Sequence, residues 1–129
     1  MPLLIFDVIE GRSEAEFKTL LDAAHRAVLT AFKVPVRDRY QIVHENKRFH
    51  MLIEDTGLGL RRTANLVVLQ VITSPRDDSR KQIFMRELCH ELKENCGIDS
   101  SDVMVSFINN TPADWSFGNG IAQYVTGDL

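Results

Sequence analysis

Pro2 stands directly behind the initiator Met1, at the head of the apolar run Leu3 to Ile9. An initiator methionine is removed efficiently when the next residue is small, proline included, so the mature chain is expected to begin with a free secondary amine. An α-amino group ordinarily titrates near ~7.7–8.0. An apolar pocket or a nearby guanidinium lowers that value and favours a neutral base, whereas a nearby carboxylate raises it and favours a charged acid. One nitrogen so placed can serve as base, acid or Schiff-base nucleophile. Arg76 supplies a second chemical group. It follows the apolar run Leu66 to Ile72 where a helix is about to start, and the turn ends of a sheet are where ligands gather. A guanidinium there suits bidentate capture of a carboxylate. Further on, Ala113 to Gly120 sets the only tryptophan, Trp115, beside Phe117 in a glycine-bounded loop, and rings in such a loop call for a lid, a pocket or an interface. The plain alternatives are a chain that merely begins at Met1-Pro2, a solvated helix-start arginine, and rings packed in the core.

Other patterns carry less. His90-Glu91 opens like a zinc-protease H-E-x-x-H, but position 94 is Glu94, so the second ligand is missing and no metal site is expected. Gly57-Leu58-Gly59 lacks the third glycine of a dinucleotide fingerprint and reads as a turn. Asp55-Thr56-Gly57 matches the half-site of a dimeric aspartic protease, but such proteases are nearly all β, which leaves Asp55 as a turn residue. Cys89 and Cys96 fall about two turns apart on one predicted helix face, too far for a disulfide, and a reducing cytoplasm is the expected location. With 15 basic and 18 acidic residues the net charge is −3, so neither nucleic acid nor a membrane is an expected partner. The opening apolar run lacks a basic segment and meets Asp7 too soon to act as a signal peptide, and no run approaches a membrane span.

Elements that position these groups repeat along the chain. Ser13 with Glu16 three residues later is a capping-box signature, and Phe17, Leu20, Leu21, Ala24, Val28, Ala31 and Phe32 recur at helical spacing, predicting a helix over Ser13 to Lys33. Asp77 or Asp78 caps a second helix carrying Phe84, Met85, Leu88, Cys89, Leu92 and Cys96, stopped by Gly97. A strand candidate precedes each helix, and another follows it, at Tyr40 to Val43 and at Val103 to Ile108. A gapless offset of 64 aligns Leu4 with Val68, Val8 with Ile72, Gly11 with Pro75, Leu20 with Phe84 and Asp38 with Asp102. The expected organisation is one α+β domain over 1–129, with pseudo-repeats at about 2–62 and 66–125. Its two β-α-β units form a four-stranded sheet with both helices on one face. Phe49 to Ile53 is expected to pair back on Tyr40 to Val43 as a hairpin, and Ile121 to Val125 to form a last short strand. The strands are apolar along their length, so the second sheet face is expected to be covered by partner subunits.

Pro2 behind the initiator, the tandem β-α-β halves and Pro75-Arg76 after the second-half strand together resemble the tautomerase superfamily over nearly the whole chain. More narrowly, Gly11-Arg12-Ser13, Arg37-Asp38-Arg39-Tyr40, Glu54-Asp55-Thr56-Gly57-Leu58-Gly59, Pro75-Arg76 and Asp114-Trp115-Ser116-Phe117-Gly118 look like its malonate semialdehyde decarboxylase group. The resemblance implies a homotrimer that uses no cofactor, with sites near subunit boundaries and a small carboxylate as substrate. By the same resemblance Pro2 is the catalytic proline, Asp38 the carboxylate near it and Arg76 the carboxylate-binding arginine, while Trp115, Phe117 and Tyr124 contact substrate. Ser74 departs from the pattern, because the best-known decarboxylases carry an arginine at that place. The implied reaction converts malonate semialdehyde to acetaldehyde and carbon dioxide, with hydration of activated acetylenic or olefinic acids as a side activity. A neutral Pro2 would instead suit enol-keto tautomerisation of a 2-oxo acid such as phenylpyruvate. The reading outside catalysis is a trimer that only binds ligand.

Overall fold

The computed structural model describes residues 1–129. Four strands, β1 (Leu3–Ile9), β2 (Tyr40–Asn46), β3 (Val67–Thr73) and β4 (Val103–Asn109), form one sheet in the order β2-β1-β3-β4. β1 runs parallel to β2 and β3 parallel to β4, and the two halves join antiparallel at β1 and β3. The crossovers are α1 (Glu14–Phe32) and α2 (Asp78–Cys96). Both pack on the same face of the sheet and against each other.

Local chemistry sets both helix ends. The Ser13 hydroxyl accepts from the Glu16 N–H and the Glu16 carboxylate accepts from the Ser13 N–H, the reciprocal pair that the S-x-x-E spacing predicts. Asp77, not Asp78, caps α2 by accepting from the Arg80 N–H. At the far ends Lys33 and Gly97 take the left-handed conformation, which costs Gly97 nothing because it has no Cβ. α1 presents Ala23, Ala24, Ala27 and Ala31 to the interior, and these small residues leave room for Phe84, Leu88 and Leu92 of α2.

Strand burial corrects the gapless alignment. Leu4, Phe6 and Val8 face the helices together with Val67, Leu69, Val71 and Thr73, out of phase by one residue with the offset that matches Leu20 with Phe84. A slip of one residue in a strand exchanges its faces, so the turn between β3 and α2, which carries Arg76, differs in length from its counterpart between β1 and α1. Alternation also shows that the helix side of the sheet is buried along β1 and β3 and half-buried along β2 and β4, and that the other side is only partly covered within the single chain. Ile42, Met104 and Ile108 on that second face are 40–45% exposed.

Two expected strands do not form. Arg48–His50 is a 3-10 turn and the chain runs irregularly from Met51 to Leu66, leaving Phe49 and Leu52 exposed instead of pairing on β2. Asn46-Lys47-Arg48 offers none of the Asn-Gly or Gly-led turns that close a tight hairpin. The segment is held instead by side chains. The buried Asp102 carboxylate accepts from the backbone and hydroxyl of Thr63, and Arg62 donates to the carbonyl of Ser101 at 2.6 Å. Asp55 is the turn residue expected of it, accepting from the N–H groups of Gly57 and Gly59. The tail makes only a bridge between Gly118 and Ile121, and then a short helix, α3 (Gln123–Thr126). Gln123 replaces a strand partner: its amide oxygen accepts from Phe117 N–H at 3.0 Å and its amide nitrogen donates to the Gly118 carbonyl at 2.9 Å.

Candidate active site

Strand register brings the sequence-predicted groups to one end of the sheet. Leu3 pairs with Tyr40 across the parallel β1–β2 ladder and with Ile72 across the antiparallel β1–β3 ladder. Residues just before β1 and β2 therefore meet the turn just after β3. β4 ends at the same edge, since Thr73 pairs with Asn109, and the aromatic loop leaves from there. Four distant stretches thus converge without any local motif linking them.

The amino group of Met1 lies 3.0 Å from Asp38 Oδ2, and the Met1 and Asp38 side chains are only 12% and 11% exposed. Pro2 is buried directly behind Met1. Asp38 is set by a tight turn in which its N–H donates to the Pro35 carbonyl. Burial holds the Met1 amine below its ordinary value, the effect of Asp38 opposes this, and the Arg76 guanidinium adds to the lowering.

Arg76 is held at two points. Its Nε donates to the Thr73 hydroxyl at 3.3 Å, and its guanidinium lies over the Phe32 ring at 5.1 Å. Phe32 is braced by stacking on Phe84 and by the edge of Phe107. The terminal nitrogens of Arg76 make no hydrogen bond within the chain, which leaves them for a ligand.

The aromatic residues form a continuous set. Trp115 stacks on Phe117 at 5.6 Å, Phe117 stacks on Tyr40 at 5.5 Å, and Tyr124 meets the Phe117 ring edge-on at 5.6 Å. Trp115 is fixed by its indole N–H, which donates to the Asn110 side chain at 2.8 Å. A cavity of about 370 Å³ opens here, lined by Met1, Pro35, Arg37, Asp38, Tyr40, Tyr124 and Leu129. Asp38 and Tyr124 line it directly, whereas Trp115 and Phe117 support its wall and Arg76 acts on the amine and on Tyr124 through its charge. Burial, and next the charge of Asp38, push the Tyr124 phenol up, so it stays a protonated hydrogen-bond donor. Pro35, Leu129, Thr73 and Phe32 complete the arrangement, and no local pattern singles them out. Only the strand pairing reveals them.

A buried amine beside a carboxylate, an oriented guanidinium and an apolar wall can bind a small acid and exchange protons with it. A family model for tautomerase enzymes matches residues 38–118, and a second tautomerase model matches residues 2–61. The chain is 57% identical over 129 residues to the probable tautomerase YrdN of Bacillus subtilis (strain 168), covering all of both chains. Its fold is similar to that of malonate semialdehyde decarboxylase, a protein described as having decarboxylase and hydratase activities, with a TM-score of 0.97, 48% identity and 98% of each chain covered. A malonate semialdehyde decarboxylase inhibited by 3-bromopropiolate is 36% identical, with a TM-score of 0.94 over 98% of this chain and 97% of that one. Site geometry, family models and whole-chain relatives agree, and the chain belongs to the tautomerase superfamily of enzymes.

Proposed function

We propose that the protein is a cofactor-independent decarboxylase of a 3-oxo acid, with malonate semialdehyde as the substrate and Pro2 as the reactive group once Met1 is removed. The observation that carries this reading is the seat of the amino-terminal end beside Asp38, where the Met1 nitrogen lies 3.0 Å from the carboxylate in a cavity reached by the charge of Arg76. Whole-chain similarity to two malonate semialdehyde decarboxylases supports it.

Decarboxylation leaves an electron pair that must flow into the neighbouring carbonyl. Arg76 holds the carboxylate and the aromatic wall excludes water, which favours loss of a charged group as neutral carbon dioxide. Burial holds the Met1 amine below its ordinary value, and the same burial acting on Pro2 favours a neutral nucleophile. Pro2 adds to the aldehyde carbon, Asp38 takes the proton that the nitrogen gives up and passes it to the carbinolamine oxygen, and with one further proton from solvent that oxygen leaves as water, yielding an iminium ion. As the bond to the carboxylate breaks, its electron pair passes to the iminium nitrogen and forms an enamine. Protonation on carbon and hydrolysis then release acetaldehyde and the free amine.

The same neutral form of Pro2 suits a second reading, enol-keto tautomerisation of a 2-oxo acid, in which Pro2 shuttles the proton and Arg76 again holds the carboxylate. The Bacillus subtilis relative described as a probable tautomerase points the same way. In both readings we assign the partly exposed apolar sheet face to packing in a homotrimer, and the two free cysteines fit a reducing cytoplasm.

A proton NMR time course with malonate semialdehyde, run beside the Pro2→Ala variant, separates these readings. Acetaldehyde formed only by the unaltered enzyme supports decarboxylation. Turnover of enol-phenylpyruvate without acetaldehyde replaces it with the tautomerase reading. Loss of neither activity in Pro2→Ala removes Pro2 from the mechanism.

A further inference from the structure

The one polar partner of the Asp38 carboxylate is the Met1 amino group, 3.0 Å away. No other group in the chain holds that carboxylate, so its place depends on the backbone from Val36 to Gln41, which leads into β2. One turn of α1 grips this stretch on both sides of Asp38. Ahead of it, His25 Nε2 bonds the Val36 carbonyl at 2.8 Å, and because a carbonyl can only accept, the ring proton sits on Nε2. Past it, the Gln41 side-chain amide donates to the Leu21 carbonyl at 2.7 Å, and Arg39 donates to Asp22 at 2.8 Å. The ties differ in weight. The Arg39–Asp22 pair is open to water and contributes little. His25 is 6% exposed and Gln41 is half-buried, so breaking either tie leaves a carbonyl short of a partner where water is scarce. Of the three buried polar residues, Thr73 supports Arg76 and Asp102 holds Thr63. His25 is left with the Val36 carbonyl alone.

We propose that this turn of α1 is a clamp that sets Asp38 against the reactive amine, with His25 and Gln41 as its positioning residues. This rests on the reading of Asp38 as the partner of the Pro2 amine, and it adds two residues that never touch substrate. Pro2 lies one step outside the Leu3–Tyr40 pair of the parallel ladder, level with Arg39. A grip on either side of Asp38 therefore controls how close the carboxylate comes to the nitrogen. Asp38 and Arg76 are the charges that act on the amino terminus, and Arg37, Tyr40 and Tyr124 are the other titratable groups nearby. Apart from placing Asp38, the clamp bonds to none of them, so a change at the amine reports the carboxylate. Coulomb attraction falls inversely with distance. Doubling the separation from 3.0 Å halves an effect of about one to three pH units, a loss of about 0.5–1.5 units.

The experiment reads the amine directly and does not depend on turnover. The mature protein is made with proline labelled by heavy nitrogen, and of the four prolines only Pro2 then carries a nitrogen that titrates, so its NMR shift is followed against pH. His25→Leu and Gln41→Met each remove one donor and keep the bulk of the side chain, and circular dichroism checks the fold. Each should lower the Pro2 titration by about 0.5–1.5 units. His25→Gln, whose amide reaches the same carbonyl, should restore it. Neither variant should add a further shift when combined with Asp38→Asn, because the charge being positioned is gone. An unmoved titration in either folded variant, a His25→Gln protein that behaves like His25→Leu, or a shift that persists in full beside Asp38→Asn overturns the proposal. Where His25→Leu does not fold, Gln41→Met decides by the same readings. An Asp38→Asn protein whose own titration is unmoved removes both the pairing of Asp38 with the amine and the clamp. Malonate semialdehyde giving no acetaldehyde while the expected shifts hold removes the decarboxylase reading and leaves the clamp in place.

Discussion

Replacing Asp38 by Asn removes one charge from the amine and leaves the shape of the side chain almost unchanged. On the Met1 amine burial and Arg76 lower the pKa and Asp38 alone raises it, and the Pro2 amine that succeeds it beside the same three groups should feel each in the same sense. The carboxylate sits 3.0 Å away with little exposure on either side. An opposite charge this close moves a titration by about one to three pH units, and each unit is worth ~1.4 kcal/mol. The variant should therefore lose about 1.4–4 kcal/mol of stabilisation of the ammonium form. The Pro2 amine should titrate lower without the carboxylate than with it. The assay is kcat/KM from about pH 4 to 9, where the acid limb reports the free enzyme's amine. Activity rises with pH through that limb because the neutral amine is the reactive form, and in Asp38→Asn the limb should move to lower pH by the same one to three units. A lower plateau would report the lost proton acceptor separately. An unmoved limb, or one displaced to higher pH, refutes the reasoning.

The remaining predictions concern the support of the site. Arg76→Ala should raise KM about tenfold to a hundredfold, the equivalent of losing hydrogen bonds to a charged group worth ~1.5–3 kcal/mol, with a smaller change in kcat by steady-state kinetics. Thr73→Val keeps the buried volume but removes the acceptor for Arg76 Nε, so KM should rise about fivefold while Thr73→Ser restores it; an equal loss in both variants would show that packing alone matters. Phe84→Ala should lower stability by about 3–5 kcal/mol in urea unfolding, because the ring is fully buried and braces Phe32 beneath Arg76.

What was legible in the sequence depended on periodicity and on end signals. Ser13 with Glu16 and the Gly97 stop mark the two helices to within a residue or so, and the four sheet strands appear as apolar runs. Missed features share a physical cause: they are decided by distant parts of the chain. The apolar residues Phe49, Leu52 and Ile53 look like strand material, yet side-chain ties from Arg62 and Asp102 hold that region without a ladder. Ile121 to Val125 looks extended, but Gln123 satisfies the loop's backbone groups and leaves nothing for a strand to do. At the site, Pro2 and Arg76 stand out from position and type alone. Asp38 enters the sequence reading through family resemblance, and its closeness to the amino terminus follows from the Leu3–Tyr40 pairing. Thr73 and Phe32 become visible only once Arg76 is seen resting between them.

The central claim is that chemistry resides in an unblocked Pro2 amine. The most direct measurement compares one polypeptide in two forms: a fusion with a removable segment ahead of Pro2, and the same preparation after cleavage leaves Pro2 first. Acetaldehyde release from malonate semialdehyde should be absent before cleavage and appear after it, with circular dichroism unchanged. Equal turnover by the fusion and the cleaved protein would contradict the account.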